Sequence, residues 1–167
     1  MSALRSKTQF LGNKMRLERM LKKSLCVFLL APIVACADSE TEVFSCLIEN
    51  STKTLSLSET ESDLNYRFGP KDAPELVLSA PKDSAKHTPW NGIGRTIWEA
   101  VAFEKDNFIY EVWTALDKFD AIENPDKARS AGVTVYKDGE DLATFQCDPR
   151  DLDFPAFILD DALNGDQ

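Results

Sequence analysis

From residue 43 onward, short runs of β-branched, aromatic and aliphatic residues alternate with polar ones, and Gly, Pro, Asn and Asp punctuate the runs. Period-two alternation with turn residues at short intervals marks an all-β chain. It predicts eight strands, at residues 43–49, 54–59, 64–68, 75–79, 96–104, 108–116, 133–136 and 141–147. Strands that follow one another through short turns suit an antiparallel meander. Two hairpins stand out. Asp106-Asn107 separates two apolar runs, and Asp138-Gly139 lies between Val133-Thr134-Val135-Tyr136 and Leu142-Ala143-Thr144-Phe145. Asp-Gly suits a type I′ turn, whose two central residues both need positive φ.

Beyond residue 147 the period lengthens. Phe154, Phe157, Ile158 and Leu163 recur near helical spacing, Asp153 stands as N-cap with Pro155 in the first turn, and Asn164-Gly165 closes the run. One short C-terminal helix is expected over 153–164, with its apolar face laid on the sheet. The expected fold is therefore all-β and mainly antiparallel: an eight-stranded meander forming a small closed or nearly closed barrel or sandwich, plus that helix. Closing or folding over the sheet removes or protects the edges that an open one exposes.

The first 37 residues follow different rules. They hold seven Lys/Arg against one acid, Glu18, and end in an uncharged apolar run over residues 25–35. Eleven residues are too few to span a bilayer, which takes about 20. A basic start, a short apolar stretch and a small-residue exit describe a cleaved secretory signal peptide, and Met15 and Met20 are alternative starts that keep it intact. Two cleavage chemistries meet at its end. Ala35-Cys36-Ala37 suits a signal peptidase cutting before Asp38, whereas Ile33-Val34-Ala35-Cys36 resembles a bacterial lipobox, in which Cys36 becomes the lipidated first residue. Ala37 in the following position resembles lipoproteins sent to an outer membrane. Location is thus expected to be periplasmic or secreted, with an outer-membrane tether if the lipobox is used.

Removing the leader changes the charge and cysteine arithmetic. The whole chain is at −9, but residues 38–167, expected to form a single domain, carry 27 acidic and 12 basic side chains, a net −15. Such acidity argues against a phosphate-binding groove, since nucleic-acid binding releases counterions through a basic footprint. It equally disfavours an anionic membrane surface. Of four cysteines only Cys46 and Cys147 remain beyond the leader, and a lone pair in an oxidising compartment is most simply a disulfide. It would tie the first and last strands together across a loop of about 100 residues, worth up to about 4.7 kcal/mol of chain entropy. With no CxxC and a single His, zinc is not favoured. No metal or other cofactor is expected.

Pairing across the Asp106-Asn107 turn sets Phe103 opposite Tyr110, Val101 opposite Val112, Glu99 opposite Thr114 and Ile97 opposite Leu116. One face of this hairpin is apolar except at Glu99. Desolvation would raise its pKa unless Arg67 or Arg95 pairs with it. Glu99 reads as a ligand-gripping or acid–base carboxylate, or as half of a structural ion pair or a rim residue; the structural reading is favoured because no second catalytic group is identifiable. Glu111, beside Trp98 and Trp113, poses the same question on the opposite face. The segment 80–95 is the longest punctuated connection. Within it Trp90, Asn91, Gly92, Ile93, Gly94 and Arg95 form a candidate binding loop, and folding back of Trp90 and Ile93 as a cap is the competing reading. His87, alone of its kind, is expected to be a solvated loop residue. The connection 117–131 reads as a solvated charged excursion.

No nucleophile, metal cluster or Ser-His-acid order can be named, so a non-enzymatic role is expected. The acidic surface suits a cationic protein partner. A secreted, single-domain β-barrel stapled by one disulfide resembles bacterial lysozyme-inhibitor families in architecture, and no site residues carry over from that resemblance. The alternatives are a small apolar-ligand carrier and an envelope lipoprotein with an assembly role.

Overall fold

Alternate residues in β2 (Thr54–Glu59) and β3 (Asp63–Gly69) are apolar and buried: Leu55 and Leu57 on one, Leu64, Tyr66 and Phe68 on the other. That alternation gives each strand one face that must be covered. The computed structural model describes residues 39–165; the expected leader over 1–37 and Cys36 lie outside the described residues. Flanking this pair, β1 (Thr41–Leu47) and β4 (Leu76–Pro81) complete a four-stranded antiparallel sheet in sequence order. A second sheet holds β5 (Lys86–Thr88), β6 (Thr96–Lys105), β7 (Phe108–Asp117), β8 (Arg129–Lys137) and β9 (Glu140–Gln146), again in sequence order.

The fold is thus mainly antiparallel β, as the alternation implies. Its meander is split between two sheets and has nine strands among the described residues, not eight. The ninth, β5, lies inside the segment read as a connection. Lys-His-Thr carries no apolar alternation to announce it, and its pairing with Val101 and its neighbours on β6 alone makes it a strand. The two sheets do not close into a barrel. They pack face to face in a sandwich-like arrangement, with Leu55, Leu57, Leu64 and Tyr66 in one core cluster with Val101, Phe103, Val112 and Val133. Tyr66 stacks on Phe103 with ring centroids 5.4 Å apart, and burial pushes the Tyr66 hydroxyl pKa up.

One pair of sheet edges is tied together. Cys46 on β1 and Cys147 just past β9 sit at disulfide distance, Cα atoms 5.6 Å apart, beside an isolated antiparallel bridge between Ile48 and Cys147. Both hairpin turns form where expected. Asp138 and Gly139 take φ of 53° and 86°, and Asn107 of the neighbouring turn donates from Nδ2 to the Asp138 carboxylate at 3.0 Å.

The C-terminal helix is shorter than the apolar spacing implies. α2 covers Ile158–Asn164, not 153–164. Phe157 takes the left-handed conformation at φ 64°, which no helix interior accommodates, and Asp153 is fully exposed and caps nothing. Leu159 and Ala162 carry α2 into the core. The connection between β7 and β8 contains one helical turn, α1 (Asp120–Glu123), followed by a 3-10 turn at Pro125–Lys127.

Candidate functional site

The β6–β7 ladder has the register that the sequence implies, with Glu99 opposite Thr114 and Val101 opposite Val112. Glu99 is consequently inside, 1% exposed. Neither expected arginine meets it. Arg67 is taken by Glu40, and Arg95 by Asp117 at 2.5 Å and Asp120 at 3.2 Å. Glu99 instead accepts the backbone N–H of Leu159 at 2.8 Å and of Asp160 at 2.9 Å, so it caps α2 from across the core. His87 stands against the same carboxylate: Nε2 is 3.4 Å from Glu99 Oε2, and Nδ1 is 3.7 Å from Asp160 Oδ1. Its side chain is only 13% exposed, which corrects the solvated-loop expectation. The reason is β5: with Lys86 and Thr88 pointing out, period two turns His87 in. Nε2 is buried without a well-aligned hydrogen bond. An acid and a base are thus adjacent, sealed beneath α2.

The candidate loop divides. Trp90 folds back: its ring lies 6.1 Å from that of Phe157, Lys118 Nζ sits 4.8 Å above its centroid, and its Nε1 donates to the Ile93 carbonyl at 3.1 Å. Asn91 Oδ1 accepts the Ile93 N–H at 3.0 Å, and Gly92 and Gly94 supply the positive φ that this tight path needs. The result holds Ile93 outward, 78% exposed. Arg95 lies with its guanidinium 5.1 Å from the Phe119 centroid while its carbonyl accepts the Lys118 N–H.

Phe119 and Ile122 were not singled out by sequence. They sit in the connection read as a charged excursion, and its acids and lysines hide two apolar residues that are 58% and 84% exposed. The signal available was their spacing of three, one face of a single helical turn. Gly94, Arg95, Lys118, Phe119 and Ile122 line one shallow depression of about 440 Å³. No family model, curated protein or solved structure matches the chain. Function is therefore argued from geometry alone.

Glu111 occupies the outer face of the five-stranded sheet, where its Oε1 accepts the Tyr136 hydroxyl at 3.3 Å. Partial burial and the Glu111 charge raise the Tyr136 pKa. The structure therefore separates the two carboxylates: Glu99 is inside with a helix to hold, and Glu111 is outside, next to Trp113 on the face that also carries Trp98. Among the described residues, no group of three His, Cys, Asp or Glu side chains is arranged to hold a metal ion, and no helix is long and apolar enough to cross a membrane.

Proposed function

We propose that the protein is an exported, non-enzymatic binding protein that docks a cationic protein partner through the tip formed by Ile93, Phe119 and Ile122. The observation that carries this reading is one depression lined by two strongly exposed apolar side chains, Phe119 and Ile122, together with Gly94, whose chain neighbour Ile93 is itself 78% exposed. Apolar groups gathered in this way mark contact surfaces, whereas scattered ones need no explanation.

Charge supports the choice of partner. Seven of the twelve basic side chains of residues 38–167 are already spent on the domain's own acids, from Lys53–Glu75 to Arg150–Asp148. What remains facing outward is mostly carboxylate, which steers a basic protein and repels an acidic one. Arg95 belongs to this set, since Asp117 and Asp120 neutralise it. Less supports the ligand-carrier reading, because Tyr66, Phe103 and the surrounding aliphatic residues fill the space between the sheets.

Immobilised full-length protein challenged at low salt with a panel of cationic proteins, lysozymes among them, tests the proposal. At least one should bind, and Ile122→Asp or Ile93→Asp should weaken it about tenfold or more without altering the melting temperature. Absence of binding across the panel, or equal binding by both variants, overturns it.

A further inference from the structure

The outer face of the five-stranded sheet carries side chains that serve neither the core nor the tip. Strand register sets Trp98 opposite Ala115 and Trp113 opposite Ala100, so each indole has a small residue across from it and the two are diagonal neighbours. Diagonal positions on a sheet lie about 7–8 Å apart. On its other side Trp113 pairs with Gly132. A Cβ at Gly132 would come within 2.8 Å of the Trp113 Cζ2, so the indole lies down across bare backbone with its second face turned outward. Trp98 is 41% exposed. One step further along β7 stands Glu111, fixed through Oε1 by the Tyr136 hydroxyl, and opposite it Thr134 shares a hydroxyl contact with Thr144 at 3.3 Å.

Two flat-lying or exposed rings followed by an oriented carboxylate and hydroxyls have a definite chemical complement. The C–H groups on one side of a pyranose ring form an apolar, slightly positive surface that fits the negative face of an indole. The sugar's rim of hydroxyls donates to carboxylate and exposed threonine oxygens, here Glu111 and Thr144, Thr134 being buried. Charge narrows the class. Lys86, which reaches this face opposite Ala102, is paired with Glu104, leaving Glu111 uncompensated. A polyanion would be repelled, and a neutral chain would not.

We propose that this face is a glycan-binding platform, in which Trp98 and Trp113 stack on successive rings of a neutral polysaccharide and Glu111, held by Tyr136, accepts hydrogen bonds from its hydroxyls. A planar sheet face suits an extended chain, and two stacking positions require an oligosaccharide where one would hold a single sugar. The site is separate from the apolar tip and does not depend on it.

Calorimetric titration of the full-length protein with cellohexaose and with chitohexaose is the test. Saturable binding of at least one is expected, weakened about tenfold by Trp98→Ala and by Glu111→Gln and unchanged by Ile122→Asp. Trp98 is exposed enough that its removal should leave the melting temperature intact. Trp113→Phe keeps a ring over Gly132 and should weaken binding less than Trp98→Ala. No heat from either sugar at millimolar concentration overturns the proposal, as does equal affinity in the Trp98 and Glu111 variants. Capture of a protein through this face in place of sugar, lost on Trp98→Ala, overturns it too.

Discussion

A buried carboxylate is costly unless its oxygens find donors, and Glu99 finds them in two backbone N–H groups at the start of α2. Glu99→Gln replaces one acceptor by an NH2 group facing an N–H. It should cost about 2–3 kcal/mol, visible as a lower urea midpoint at unchanged slope; an unaltered midpoint would show that the cap contributes nothing. Glu40 illustrates the opposite, half-exposed situation. The Arg67 guanidinium, first, and then the Ser58 hydroxyl hold its carboxyl down from 4.5 to about 2. Because the folded value is the depressed one, the stabilisation is complete above about pH 4.5 and fades as pH falls through about 2. Its side chain is 36% exposed, so solvent screens the pair and the effect is small. Wild type should exceed Glu40→Gln in stability at pH 7, and the two should converge in acid unfolding near pH 2. A gap that widens toward low pH would contradict the assignment.

At the scale of elements, backbone geometry decides what composition leaves open. Gly132 on β8 has no room for a side chain: an added Cβ would stand 2.4 Å from the Phe145 carbonyl oxygen of β9 and 2.8 Å from Trp113. Gly132→Ala should therefore push β9 and the indole apart, costing about 1–3 kcal/mol in thermal or urea unfolding, with a changed tryptophan emission; a silent substitution would mean that the strands yield freely. Legibility in the sequence follows the same division. The β6–β7 and β8–β9 hairpins were readable because turn residues and alternation are local signals, and they fixed the inward direction of Glu99 without any partner in view. Its partners were not readable, since Leu159 and Asp160 lie sixty residues on. The early start assigned to the C-terminal helix came from apolar spacing that Phe157, in a left-handed conformation, breaks. β5 was hidden for want of apolar residues, and with it the burial of His87. The tip residues Phe119 and Ile122 were masked by the charges around them, because a four-residue helical turn is too short to impress a period on the chain.

On the scale of the whole molecule, the disulfide-distance pair and the adjoining Ile48–Cys147 bridge hold one edge of the sandwich together, while the chain around His87 and α2 fills the space at Glu99. This leaves charge as the property with the longest reach. With 27 acids against 12 bases over residues 38–167, and most of the bases neutralised at contact distance, the outward field is anionic on a scale larger than any one ion pair. Such a field acts before contact and raises the encounter rate, whereas desolvated apolar groups at the tip act after contact and slow escape. The two contributions are separable in one experiment. Raising ionic strength from low to physiological shortens the screening length to about 8 Å and should lower the association rate for a cationic protein by tenfold or more, leaving the dissociation rate nearly constant. Ile122→Asp should do the reverse, accelerating dissociation with little change in the salt dependence of association. If salt instead altered only the dissociation rate, the acidic groups would be part of the contact itself, and the tip would not be where the partner is held.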